Sequence, residues 1–155
     1  MKIRPSFPDE FDRLSVLLAN AHQESRYRRY DLDFDKCRQL FEQQFVNGNI
    51  ICFVALKDEE LAGFGGFLVT PHFFGNDLVA SDFMLYVKPE HRGSSAAFRL
   101  LKAYEKWATS LNVVEITLGI STGINVAETS SIYERLGYQR EAISFRKDGH
   151  PDVFS

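Results

Sequence analysis

The sequence predicts an α/β protein of mixed α+β type, with a central mixed sheet of about six strands and helices on both faces. Three observations carry this. Short apolar runs of strand length alternate with segments whose apolar residues recur every three or four positions. A strand–helix–strand unit runs from Leu78 to Ile120, the length and order of a parallel crossover. The runs Ile50–Leu56 and Leu61–Thr70, by contrast, are parted only by Lys57-Asp58-Glu59-Glu60 and read as an antiparallel hairpin. A chain of 155 residues fits one domain, 1–155. That length buries roughly two-thirds of the unfolded surface.

The elements follow in order. Lys2 to Arg4 reads as a first strand. Pro8 suits a helical first turn, and Asp9 and Glu10 suit its positive end. With Phe7, Phe11, Leu14, Leu18 and Ala21 as the buried face, a helix is expected from about Pro8 to His22. Glu24 to Tyr30 is polar, basic and aromatic without a period, which fits either a solvated connection or the wall of a binding site. Asp31, Asp33, Asp35 and Glu42 have the spacing of a calcium loop, but Lys36 stands where the sharp turn needs glycine. Phe34, Cys37, Phe41 and Phe45 make a helical stripe instead, so the acids cap a helix start and no metal is expected.

Asn47-Gly48-Asn49 ends that helix, and the hairpin follows with Gly63, Gly65 and Gly66 in its second arm. Glycines inside a strand point to a bulge or to close packing. Pro71 to Asn76 is a loop carrying His72, and Leu78 to Val87 a fourth strand. A helix from Gly93 to about Ser110 carries Ala97, Leu101, Tyr104 and Ala108 on one face. Val113 to Ile120 reads as a fifth strand. Asn125 is placed as N-cap of a last helix to Leu136, with Gly137 just past its end. Tyr138 to Phe145 is expected as the sixth strand and Lys147 to Ser155 as a polar tail.

Composition narrows the setting. A net charge of −3 gives no general reason to expect a nucleic-acid partner. No apolar run approaches the ~18 residues of a membrane span. The N-terminal residues Met1-Lys2-Ile3-Arg4-Pro5 carry no apolar signal region, which makes the cytoplasm the default. Cys37 and Cys52 lie in apolar-periodic segments and read as buried thiols in a reducing compartment, without a disulfide. Lacking histidines at matched spacing, they make no zinc site.

The most informative stretch is Asp82 to Ala97. An apolar strand ends before Pro89, and Arg92-Gly93-Ser94-Ser95-Ala96-Ala97 leads into the helix. Small residues at a helix start let a ligand reach unpaired N–H groups at the positive end of the dipole, a site suited to phosphate or pyrophosphate. An ordinary capped helix, with Ser94 or Ser95 as N-cap, fits the same local pattern. The wider spacing adds to it. Val87-Lys88-Pro89-Glu90-His91-Arg92-Gly93 resembles the Val-x-Pro-x-x-Arg-Gly segment that leads into the acetyl-CoA loop of the GNAT superfamily of N-acetyltransferases. The family loop, Arg/Gln-x-x-Gly-x-Gly/Ala, reads here Arg92-x-x-Ser95-x-Ala97, with serine in place of one glycine. Downstream, Ile132-Tyr133-Glu134-Arg135-Leu136-Gly137-Tyr138 resembles the Leu-Tyr-x-x-x-Gly-Phe signature.

The resemblance implies a GNAT-like domain that moves an acetyl group from acetyl-CoA to a primary amine. Arg92, Gly93, Ser94, Ser95, Ala96 and Ala97 would hold the pyrophosphate, and Leu85 and Val87 would flank the pantetheine arm. Tyr133 matches the family's proton donor to the departing thiolate, and Asn125 lies one position from the family's asparagine. An amine of pKa ~10 must lose a proton. Asp82 is the first candidate base and Glu115 the second, with a water chain as the alternative. In the family the segment between the first two helices commonly borders the acceptor, which assigns Tyr27, Arg28 and Tyr30 to a small-molecule or peptide amine. A homodimer is compatible with this reading. The rival reading is a non-catalytic acyl-CoA-binding or interaction module of the same fold. A phosphate- or nucleotide-binding regulator is a third.

Overall fold

Successive strand residues face opposite sides of a sheet, and here the two faces build two separate cores. A computed structural model describes residues 1–149. Its 5-stranded sheet runs β1 (Lys2–Pro5), β2 (Ile50–Lys57), β3 (Glu60–Pro71), β4 (Leu78–Val87) and β5 (Glu115–Ile116), in that spatial order. β1 to β4 pair antiparallel, while β5 joins β4 in parallel after a crossover. The sheet is therefore mixed, as expected.

On one face, α1 (Phe11–Glu24) sets Leu14, Leu17 and Ala21 on Val54, Leu56, Phe64 and Tyr86 of the sheet, and α2 (Phe34–Glu42) adds Phe41. The other face carries α3 (Ala96–Ser110) and α4 (Val126–Arg135). There Leu100, Leu101, Tyr104 and Ala108 meet Phe53, Phe67, Val69 and Ala80, and Tyr133 joins them from α4. The Tyr104 ring stacks on Phe67 with centroids 4.1 Å apart. Its hydroxyl donates to Thr117 O at 2.9 Å, which ties the chain beyond β5 to α3.

Several expectations shift. The first helix begins at Phe11, not Pro8, because the Glu10 carboxylate turns back to accept the Phe7 N–H (2.7 Å) and to pair with Arg4 (2.6 Å). Asp33 does cap α2, accepting the N–H groups of Asp35 and Lys36. Cys37 and Cys52 are free thiols, each partly exposed. The fifth strand shrinks from Val113–Ile120 to Glu115–Ile116. The expected sixth strand, Tyr138 to Phe145, does not form: 139–149 have no regular structure, and Ile143 and Phe145 are exposed. A strand needs an edge to pair with, and β5 offers only Glu115 and Ile116. Just past α4, Arg140 pairs with Glu134 at 2.9 Å, and farther on Asp148 pairs with Arg29. Of the expected polar tail, residues from 150 onward lie outside the described residues.

Gly63 in β3 sits opposite Val87, at the end of β4. A Cβ there would stand 2.6 Å from Tyr86 O and 3.2 Å from Val87 Cα, both backbone atoms that cannot swing aside. Gly63→Ala should therefore lower the unfolding free energy by ~1–3 kcal/mol, the cost of overpacking. Gly48→Ala, with nothing within 4 Å of the added atom, should stay within ~0.5 kcal/mol of wild type. Urea denaturation of both variants checks the contrast.

Candidate active site

The site begins with an irregularity in β4. Met84 pairs with Gly66 and Asp82 with Phe67, so Phe83 is an extra residue, a β-bulge. The bulge reverses the alternation of faces. Leu85 and Val87 pack towards α3, and regular alternation would turn Asp82 the other way. With Phe83 inserted, Asp82 shares the face of Leu85, Val87, Ala80 and Tyr133. The Phe83 ring lies over Gly66, where any Cβ would collide with it.

At the same level β4 and β5 part. They pair at Val79–Glu115 and Ala80–Ile116, and Thr117 N–H still reaches Ala80 O at 2.9 Å. Beyond that, Gly119 N–H is accepted by the side chain of Asp82, at 3.0 Å, rather than by the backbone of β4. The strands open into a cleft of about 1300 Å³ between β4, the 119–122 segment, α4 and the start of α3. Burial pushes the Asp82 carboxyl up to about 6, against the opposing effect of the Gly119 N–H.

Tyr133 reaches Gly119 from the other side. Its hydroxyl donates to Gly119 O at 3.0 Å, so Asp82 and Tyr133 hold the N–H and C=O edges of this one residue. The position of Tyr133 is set by the end of α4. Tyr138 N–H bonds Tyr133 O (3.1 Å), Gly137 N–H bonds Glu134 O (3.0 Å), and Gly137 has φ +95. That is the Schellman arrangement, which requires a left-handed residue and brings the residue after it onto the last turn. The Tyr138 and Tyr133 rings meet at 6.2 Å. Burial, then the Asp82 charge, raises the Tyr133 phenol well above its ordinary pKa, so it stays protonated.

The loop before α3 lines the same cleft through Arg92, Gly93, Ser94, Ser95 and Ala97, whereas Ala96 is wholly buried in the core. Left-handed geometry falls on Gly93 (φ +84), not on Ser95 (φ −79), so serine in place of the family's glycine carries no backbone strain. The Ser94 hydroxyl accepts Ala96 N–H at 3.2 Å. Among the described residues the N–H groups of Gly93, Ser95, Ala97 and Phe98 have no acceptor. The Arg92 side chain points elsewhere: it holds Glu24 at the end of α1 by bonds of 2.5 and 2.8 Å and donates to Val87 O at 2.9 Å. The pair keeps the Glu24 carboxyl below its ordinary pKa.

The acetyltransferase (GNAT) family model matches residues 14–138. The chain belongs to the GNAT acetyltransferase family. No curated protein matches the sequence significantly. Solved structures do match its fold. A probable acetyltransferase is 23% identical, with 97% of each chain covered and a TM-score of 0.72. A ribosomal-protein-alanine N-acetyltransferase from Brucella melitensis biovar Abortus 2308 is 18% identical, covering 96% of this chain and 99% of that one, TM-score 0.73. AAC(6')-Iy in complex with the bisubstrate analog CoA-S-monomethyl-acetylneamine is 17% identical, covering 95% and 97%, TM-score 0.73.

Within this GNAT acetyltransferase the remaining expected residues divide. Leu85, Val87, Tyr27 and Asn125 line the cleft. Asn125 holds a left-handed conformation (φ 46, ψ 47), and its side chain makes no cap to α4, contrary to its expected N-cap role. The segment Arg26–Arg29 is a 3₁₀ turn, docked on the wall of the cleft by Arg26 N–H to Thr122 O (3.0 Å). Tyr30 packs on Tyr27, with ring centroids 5.2 Å apart, and Arg28 lines a neighbouring cavity. Glu115 is exposed and lies outside the cleft, and His72 stacks among Phe73 and Phe74 at the far end of the β3–β4 hairpin. Sequence reading missed Gly119 and Glu24, which act through partners 37 and 68 residues away.

The raised Asp82 pKa has a thermodynamic consequence. It lies above the unfolded value, so the folded protein binds an extra proton between about pH 4 and 6 and loses stability as pH rises through that window. Asp82→Asn keeps an acceptor for Gly119 N–H but cannot ionise. It should be more stable than wild type at pH 7.5 by ~1–3 kcal/mol, and the gap should close as pH falls below ~4. Melting curves of the two proteins across that range test this, and a pH-independent gap would contradict it.

Proposed function

We propose that this protein is an N-acetyltransferase that uses acetyl-CoA and acts on a primary amine by direct attack, as a single domain over 1–155 in the cytoplasm. The observation that carries the reading is the convergence of Asp82 and Tyr133 on Gly119 at the parting of β4 and β5, beside the unpaired N–H groups of the α3 start. The cleft suits a long phosphorylated thioester. Its volume is about 1300 Å³, and a Cβ at Gly93 would meet no atom within 4 Å, which leaves the loop backbone open to a phosphate.

Bound acetyl-CoA supplies an activated acyl group. The chain's own groups do the rest. The N–H groups of Gly93, Ser95, Ala97 and Phe98, at the positive end of α3, bind the pyrophosphate. The free edge of β4 beyond Asp82 offers Leu85 and Val87 to pair with an extended amide-bearing arm, as a sheet edge pairs with an added strand. An N–H on that edge, aimed at the developing oxyanion, stabilises it. Asp82, whose raised pKa makes it a stronger base than an ordinary carboxylate while leaving it ionised at pH 7, takes the proton that the attacking amine loses. The Tyr133 hydroxyl turns from Gly119 O to the departing sulfur and donates a hydrogen bond that strengthens as charge builds there. Its proton passes to the sulfur as solvent replaces it, so no free phenolate accumulates.

The acceptor is a small molecule or a peptide amine. Both occur among the structural neighbours, one named for ribosomal-protein alanine and one bound to an acetylneamine analog. Calorimetry with acetyl-CoA tests the anchoring. Ser94→Glu sets a carboxylate against the pyrophosphate, and like charges brought together cost several kcal/mol. Affinity should fall ~100-fold or more. Unchanged affinity in a folded Ser94→Glu protein would remove this loop as the anchor.

A further inference from the structure

Beside the cleft lies a second cavity, of about 430 Å³, whose walls bring together Arg26, Arg28 and Arg29 of the 3₁₀ turn with Arg146. One carboxylate, Glu24, lines it too, but both its oxygens are already held by Arg92. Arg29 and Arg146 share the carboxylate of Asp148, the latter at 3.0 Å. Among the described residues Arg26 bonds only neutral oxygens, Ser121 O at 2.6 Å and the Tyr27 hydroxyl at 3.1 Å. Arg28 makes no ion pair among the described residues. Among the described residues the charges of Arg26 and Arg28 therefore face the cavity without a counter-ion. Thr122 lines both the cavity and the cleft, and the neighbouring Tyr27 lines the cleft.

A guanidinium presents a planar fork of donors that matches a carboxylate, and such charge-assisted pairs are about twice as strong as neutral ones. Asp148 bridging Arg29 and Arg146 shows that a carboxylate fits at this rim. A cationic pocket disfavours a polycationic acceptor by repulsion and favours one with a negative end. We infer that the acceptor amine carries a carboxylate, which is held between Arg26 and Arg28 while the amine reaches past Thr122 into the cleft. The inference rests on the acetyl-transfer reading above and adds the substrate class to it.

The test uses the full chain. Acetyl-CoA affinity is measured first, for wild type and for Arg28→Gln, an exposed position whose replacement leaves the core intact. It should be equal in both, and absence of binding would overturn the acetyl-transfer reading and this inference together. Release of CoA thiol is then followed with ω-amino carboxylates of two to six carbons and their matched carboxamides. The carboxylates should win by roughly tenfold or more in kcat/KM at one chain length or several, the effect of one charged hydrogen-bonded pair. Arg28→Gln should bring that ratio close to one. Preference for the carboxamides, or for spermidine, would overturn the inference and leave acetyl transfer standing. If no member of the panel is acetylated, titration of the CoA-saturated protein with glutarate and with glutaramide decides. Tighter glutarate binding that Arg28→Gln abolishes supports the carboxylate site, and equal binding of the two overturns it.

Discussion

The hydrogen bond from Gly119 N–H to the Asp82 carboxylate is the contact on which the rest of this site depends. A parallel pair of strands would normally continue through backbone bonds. Here a side chain occupies the place of a carbonyl, and the strands separate from that point on. The bulge at Phe83 makes this available by turning Asp82 onto the α3 face. The opening then gives α4 room to bring Tyr133 against the far edge of Gly119. The fold bears a cost for it, since a carboxylate sits where burial disfavours its charge.

A second constraint ties the ends of the cleft together. Glu24, at the last turn of α1, accepts from Arg92 of the loop before α3 and from the Tyr86 hydroxyl of β4 at 3.2 Å. The loop before α3 is thereby braced against the opposite side of the sheet. The same Glu24 lines the arginine cavity, so the loop before α3 and the wall of that cavity share a residue. With Glu24 satisfied by Arg92 and Asp148 by Arg29, Arg26 and Arg28 of the 3₁₀ turn have no counter-ion among the described residues.

Much of this was legible in the sequence where the physics is local. The run Arg92 to Ala97 announced a helix start with room for a ligand, and Gly93 supplies the left-handed residue there. The Tyr133 to Tyr138 stretch was legible because Gly137 just past a helix end marks a left-handed cap that turns the chain back onto the last turn. What escaped was non-local. Phe83 to Val87 is apolar throughout, so alternation could not say where the strand slips, and the glycines of β3 signalled a bulge or close packing without locating it. Tyr138 to Phe145 reads as a strand, but its partner edge is too short to pair with. Asn125 reads as a cap, yet its backbone is left-handed and its side chain caps nothing. The pairing of the Arg92 side chain escaped as well, because its partner Glu24 is 68 residues away.

The central claim is that Tyr133 serves the departing sulfur rather than only the packing around Gly119. The most direct measurement is the turnover of Tyr133→Phe against that of wild type, with a series of acetyl thioesters of graded leaving-thiol acidity. A positioned acid is worth ~10²-fold or more, so the variant should lose about that much with acetyl-CoA, whose thiol has a pKa near 8.5 as cysteine does. The loss should shrink steadily as the thiol becomes more acidic and needs less help. A deficit of the same size for every thioester would mark the lost Gly119 contact as the cause, and equal rates for the two proteins would make Tyr133 a core residue alone.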